Sequence, residues 1–192
     1  MNLVIMKTSS EALLADLKER TRLNVSEAAK FRELSSNELN QRETPGSWTV
    51  LENLEHLNYY GNFYLPEIEK RISESKHDPE DVFKSGIFGN YFANMMLLKE
   101  KPKKIKTFKS QDPIGKSLDK AVIDQFLQQQ ERLLELLVKA GEVSLTRTKT
   151  SISISNWLKL RLGDTVRVVV YHNQRHVLQA RNVLKTLKTG SE

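Results

Sequence analysis

Residues 166–184 read VRVVVYHNQRHVLQARNVL, and the period of this run decides the fold. Every third or fourth residue along it and its flanks falls on one line: Leu158, Leu162, Thr165, Val169, His172, His176, Gln179, Val183 and Leu187. Such a stripe is the inward face of an amphipathic helix. Residues 166–170 (VRVVV) are β-prone taken alone, but the helical period continues on both sides. A helix over about residues 155–187 is therefore expected, with Gly163-Asp164 as a weak spot inside it.

Two of the chain's four histidines, His172 and His176, lie in the middle of this stripe. Residues four apart on a helix are neighbours, with Cβ atoms about 5–6 Å apart. Two imidazoles so placed can aim at one point, as a shared divalent ion requires. HxxxH by itself also fits a surface pair or core histidines bonded to nearby side chains. Asn173 stands where a zincin would carry its catalytic glutamate, which disfavours a metalloprotease.

Three more long helices are expected upstream. The first covers about residues 9–34, capped by Ser9 or Ser10, with Leu13, Leu14, Leu17, Leu23 and Val25 on its apolar face. The breaker Pro45-Gly46 precedes the second, over residues 48–75, with Ser47 as its cap and Pro66 as a kink or break. The third runs over residues 117–140 from a Ser117 cap, lined by Ile123, Phe126, Leu127, Leu133, Leu134, Leu137 and Val138, and ends at Gly141. Residues 76–115 hold several prolines and glycines and read as irregular, with a short helix near 87–99. Residues 146–155 read as a connection. Four amphipathic helices with little strand signal make an all-α four-helix bundle, whose long second connection acts as a crossover.

Composition sets the bounds. At 192 residues the chain suits one domain. It has no cysteine, which removes disulfides and thiolate metal sites and fits a reducing cytoplasm. No basic region precedes the short apolar run at the start and no small-residue cleavage site follows it, so no signal peptide is expected. No window nears the roughly 18 continuous apolar residues of a membrane span. The formal charge of +6 and pI near 9.4 come mainly from residues 99–109, KEKPKKIKTFK. This run lacks arginine and reads as a solvated loop, and nucleic acid is not the expected partner.

A third histidine joins the pair. The second helix contains LEHL at 54–57, with His56 beside the apolar stripe and Asn53 and Tyr60 flanking it. Cofactor sites in bundles are built from side chains on facing helices. One histidine from helix two and two from helix four make a three-ligand set, an arrangement that leaves zinc an open position. His77, in the loop KHDPED, reads as exposed and uninvolved.

Taken together, S47-W48-T49, L54-E55-H56-L57 and H172-N173-Q174-R175-H176-V177-L178-Q179, spread over residues 9–187, resemble the DinB/YfiT-like superfamily. The resemblance implies an up-down-down-up four-helix bundle and a divalent ion, zinc or nickel, on His56, His172 and His176. It also implies a homodimer, and either metal-dependent hydrolysis or thiol S-transfer with bacillithiol, mycothiol or glutathione. An open metal position suits a water or a thiol, because the ion lowers the pKa of what it binds.

Gln179, one turn past His176, either hydrogen-bonds a ligand ring or a substrate or is a buried amide. Asn53 and Tyr60 can line the pocket, although ordinary helix-flank roles are the plainer reading. Glu52 and Glu55 can serve as a general base, although a solvated helix face is the plainer reading for each, and Trp48 reads as a packing anchor at the helix start. The alternative to an enzyme is a non-catalytic binding bundle with a structural or vestigial metal site.

Overall fold

The structure is a computed structural model describing residues 6–98 and 107–189. It is mostly helical, with two small two-stranded antiparallel sheets. In chain order the elements are β1 (Lys7–Ser9), α1 (Ser10–Ala29), α2 (Ser36–Leu39), α3 (Val50–Ser73), β2 (Val82–Lys84), α4 (Ile87–Met96), α5 (Ala121–Lys139), β3 (Lys149–Ile152), β4 (Ser155–Arg161) and α6 (Leu162–Thr189). Short 3₁₀ turns follow α1 and precede α5. Helix α3 packs against α5 and α6, α1 packs against the same two helices, and α4 lies on α6.

Local chemistry explains the helix starts. Ser9 caps α1, its side chain accepting from the Ala12 backbone N–H. Helix α3 begins two residues later than Ser47 would place it. Its cap is Thr49, whose hydroxyl accepts from Glu52 N while the Glu52 carboxylate accepts from Thr49 N. This reciprocal pair satisfies two backbone donors that the helix leaves open. Helix α5 starts at Ala121, not after Ser117, with Asp119 accepting from the Ala121 N–H. Pro66 does not break α3, which is continuous through it; Tyr64, Leu65, Ile68 and Ile72 are buried on both sides of the proline.

The largest departure from the sequence reading lies before α6. Residues 155–161 form a strand, and the helix starts only at Leu162. Here Leu160 is buried while Trp157 and Lys159 are exposed, the alternation of a half-buried strand. The strand pairs with β3 in the register Lys149↔Arg161, Thr150↔Leu160 and Ser151↔Lys159. Leu158 therefore leaves the helical stripe. Gly163-Asp164 falls in the first turn of α6, not inside it. A Cβ at Gly163 would run into the Phe83 ring of β2, so glycine lets strand and helix approach. Asp164 is fully buried. It accepts from Ser85 Oγ, from Gly86 N at 2.7 Å and from Arg167 Nη1 at 3.1 Å.

Sheet β1–β2 is the second feature not expected. It sets Thr8 opposite Phe83 and seals the Phe83 side chain at 0% exposure. The short helix expected near 87–99 is α4. Leu23 and Val138, expected on apolar faces, are exposed.

The core has two apolar clusters. One gathers Leu17, Tyr64, Ile68, Leu133, Leu136 and Val166. The other gathers Phe31, Leu51, Leu54, Ile123, Phe126 and Val177. On α3, His56 lies beside Leu57, the last α3 residue of the second cluster, and one turn before Tyr60, which packs against the first. On α6, His172 and His176 lie between Val170 of the first and Val177 of the second. The three histidines thus occupy the seam between the clusters.

Candidate metal centre

Helix α3 lines up Asn53, His56 and Tyr60 at three- and four-residue steps, and α6 supplies His172 and His176 one turn apart. The three imidazoles meet. One ring nitrogen from each lies within 4.8 Å of the other two. His56 Nε2 and His172 Nε2 are 3.2 Å apart. All three side chains are buried, with 2%, 6% and 9% exposure for His56, His172 and His176.

Neighbouring groups decide which nitrogen the His56 and His176 rings present. His56 Nδ1 lies 2.7 Å from the Gln111 carbonyl oxygen. A carbonyl only accepts, so Nδ1 carries the hydrogen and Nε2 keeps its lone pair. Asn53 Nδ2 donates to the Thr49 carbonyl, which turns Asn53 Oδ1 toward His176 Nδ1 at 3.2 Å. The same logic leaves His176 Nε2 as its free donor atom. Ring N–H groups held by carbonyl or amide oxygens are the usual support of metal-bound histidines.

Electrostatics agree with neutral rings. Burial, then the neighbouring His56 and Arg175, hold His172 well below its ordinary pKa. Burial, then His172, His56 and Arg175, do the same for His176. Burial lowers His56 as well, opposed by its hydrogen bond to Gln111 and by Asp112. A neutral imidazole is the form that binds a metal.

The set fits a divalent ion. Two nitrogens each about 2.0–2.1 Å from zinc at a tetrahedral angle lie about 3.3 Å apart, close to the 3.2 Å between His56 and His172. Three neutral nitrogens without a carboxylate suit zinc or nickel better than a hard ion such as magnesium.

Several surrounding roles differ from those the sequence suggests. Asn53 is buried against His176 and is not an ordinary flank residue. The Tyr60 ring packs on His56 and His172, with centroids at 4.9 and 4.6 Å. Trp48 does more than anchor the helix start. Its ring lies 4.7 Å from that of His56 and 5.5 Å from that of His176, and its Nε1 donates to Asp112. Glu52 is not solvated. It is 1% exposed and accepts from Thr49 N, Arg42 Nη2 at 2.8 Å and Gly115 N at 2.6 Å. Glu52 thereby ties down residues 111–115, which supply the Gln111 carbonyl to His56 and Asp112 to Trp48. Gln179 is an exposed side chain on a cavity wall, not a buried amide. His77 is half-buried, not exposed, and lies outside the cluster. Residues 99–106, most of the lysine-rich run, lie outside the described residues.

Against the histidines opens a cavity of about 640 Å³. Trp48, Tyr60, Phe92, Met96, Ile152 and Val168 supply much of its apolar wall, and Arg175 also lines it. Sequence reasoning missed Gln111, Asp112 and Arg175. Gln111 acts through its main chain, which leaves no side-chain signature. Thr49-x-x-Glu52 is a capping-box pattern that could have revealed Glu52.

Among the described residues no helix is long and apolar enough to cross a membrane. No match was found among curated proteins or among solved structures. The family model of the DinB superfamily matches residues 18–180, a span that contains all three histidines. With that match over most of its length, the chain belongs to the DinB superfamily.

Proposed function

We propose that the chain is a divalent-metal enzyme of the DinB type that acts on a small molecule in the cavity beside His56, His172 and His176. The observation that carries this reading is the buried convergence of three imidazoles at the edge of an open chamber of about 640 Å³. A volume of about 300–1,000 Å³ is usual for small-molecule sites. Zinc or nickel is the proposed ion. When bound, it would act as a Lewis acid and lower the pKa of a water or a low-molecular-weight thiol.

The chain's own groups prepare that chemistry. Gln111 and Asn53 hold the His56 and His176 rings so that the Nε2 lone pairs are presented inward. Trp48 and Tyr60 cover the histidines with aromatic surface and limit access by bulk water. Burial, then the nearby Tyr64, keep the Tyr60 phenol above its ordinary pKa. Tyr60 therefore retains its proton near neutral pH and can donate a hydrogen bond. Two reaction classes suit such a site: hydrolysis of a small molecule and transfer of a thiol to an electrophile.

With this reading go a single-domain four-helix bundle formed by α1, α3, α5 and α6, a homodimer and a cytoplasmic location. A vestigial site would have less need of a chamber against its ligands, so the cavity favours the enzyme over a purely structural bundle. The test is a screen of protein loaded with zinc or nickel against activated esters, and against an electrophile with glutathione or bacillithiol. Metal-dependent turnover that disappears in His172→Ala supports the reading. Turnover that is unchanged by removing the ion contradicts it.

A further inference from the structure

A second, smaller cavity of about 190 Å³ lies between hairpin β3–β4 and the start of α4. Lys149, Lys159 and Arg161 line it, together with Gly86, Phe88 and Leu160. Leu160 lines the histidine chamber as well, so the two cavities share a wall of β4. The strand period explains why the cations gather. Lys159 and Arg161 are two residues apart and share one face of β4, and the register sets Lys149 opposite Arg161. Like charges directly opposite, with Cβ atoms about 4.5–5.5 Å apart, destabilise a sheet. Partial burial, then Arg161, hold the Lys149 ammonium below its ordinary pKa, with Asp164 opposing. Sheet β1–β2 repeats the pattern beside it. Lys7 faces Lys84, and Arg161 Nη1 donates to the Lys84 carbonyl at 2.6 Å. Among the described residues, no ion pair joins any of these cations to a carboxylate. Asp164 is the one acid among the described lining residues, and Ser85, Gly86 and Arg167 already hold it. Its charge is balanced by Arg167, which leaves the three lining cations uncompensated.

We propose that this cavity binds the phosphate or diphosphate group of a soluble small molecule, held by Lys149, Lys159 and Arg161. A multiply charged oxyanion offsets the repulsion between Lys149 and Arg161, and its oxygens suit the planar fork of an arginine. The volume of about 190 Å³ is below the roughly 300–1,000 Å³ of a pocket for a whole small molecule. A charged group therefore enters, and the rest of the ligand lies over Ile87 and Phe88, both exposed at the edge. The site is separate from the histidine set and does not depend on an ion there.

The test is calorimetric titration of the purified protein with inorganic pyrophosphate at about 0.1 M salt, where distant surface charges are screened. It is repeated in Lys149→Gln, Arg161→Gln, Lys120→Gln and His172→Ala. Lys120 is the control for net charge, since it sits against Arg32 at the start of α5. Wild type should bind saturably. Lys149→Gln and Arg161→Gln should each bind about 10-fold more weakly, as loss of one charge-assisted contact predicts. Lys120→Gln and His172→Ala should bind as wild type does. Equal weakening by Lys120→Gln would reduce the effect to net charge and overturn the proposal. Loss of binding in His172→Ala would put the anion on the histidine set and overturn it too. So would the absence of saturable binding by wild type, or binding of an oligonucleotide or of phosphatidylglycerol vesicles without binding of pyrophosphate. If a hairpin variant does not fold, amide NMR shifts of wild type on adding pyrophosphate decide. Shifts centred on residues 84–88, 149–151 and 159–161 support the site, and shifts centred elsewhere overturn it.

Discussion

The Nε2 atoms of His56 and His172 face each other at 3.2 Å, although 116 residues separate them in the chain. Two lone-pair atoms converge this closely without penalty when they share a cation or a proton. His56 gives its own ring hydrogen to Gln111, so in the metal-free protein any hydrogen between the two must come from His172. The arrangement is one that could hold an ion, and without one it is satisfied by a single histidine-to-histidine hydrogen bond.

Asn53 holds the ring of the third histidine, His176. Replacing it with alanine removes the acceptor that fixes the His176 tautomer. Metal affinity in Asn53→Ala should fall about 10-fold to 100-fold, measured by competition with a chromophoric chelator. An affinity within about twofold of wild type, on the same scale, would mean that Asn53 does not orient His176.

Glu52 joins the start of α3 to residues 111–115. Glu52→Ala leaves Arg42 and the backbone N–H groups of Thr49 and Gly115 without their carboxylate. The loss should be about 1.5–3 kcal/mol, read from urea unfolding. Metal affinity should weaken as well, because the Gln111 carbonyl loses its support. A variant as stable as wild type would contradict the role given to this residue.

The histidines set a pH dependence whose sign can be worked out. Burial holds His172 and His176 well below the ordinary value of about 6.5 in the folded chain. Unfolded, they bind protons that the folded chain refuses. Their contribution is complete above about pH 6.5 and is lost as the pH falls from there toward the folded values. Metal-free protein should melt several degrees lower at about pH 5.5 than at about pH 7.5, given about 2–4 °C per kcal/mol for a chain of this size. The double variant His172→Gln, His176→Gln should show a flatter profile by differential scanning fluorimetry. An equally steep profile in the double variant would assign the effect to other groups.

Gly163 is a packing requirement at the start of α6. Gly163→Ala drives a methyl into the Phe83 ring and should cost about 1–3 kcal/mol, as overpacked cores do. Thermal unfolding measures it. A neutral or stabilising effect would mean that β2 moves aside freely.

Much of this molecule is legible in its sequence, for identifiable reasons. The helical period around His172 and His176 is long enough to outweigh the β-branched run at 166–170, and α6 covers both. His56 is legible because it sits beside an apolar stripe on another long helix. The strand at 155–161 is not, because seven residues of alternating pattern run directly into a helix with no breaker between Arg161 and Leu162. Residues 82–84 escape notice because their partner, β1, is only three residues long. Trp48 and Arg175 are assigned by tertiary approach alone: neither lies on the stripe that carries the histidines. Glu52 carries a charge, which suggests solvent, yet its capping box and Arg42 bury it.

The most direct test of the central claim is metal content, by elemental analysis of protein purified without an affinity tag, alongside His56→Ala and His172→Ala. The account predicts about one divalent ion per chain in wild type, as a single three-histidine site holds, with the ion lost in both variants. Wild type that carries no ion and takes none up on titration with zinc or nickel would contradict it.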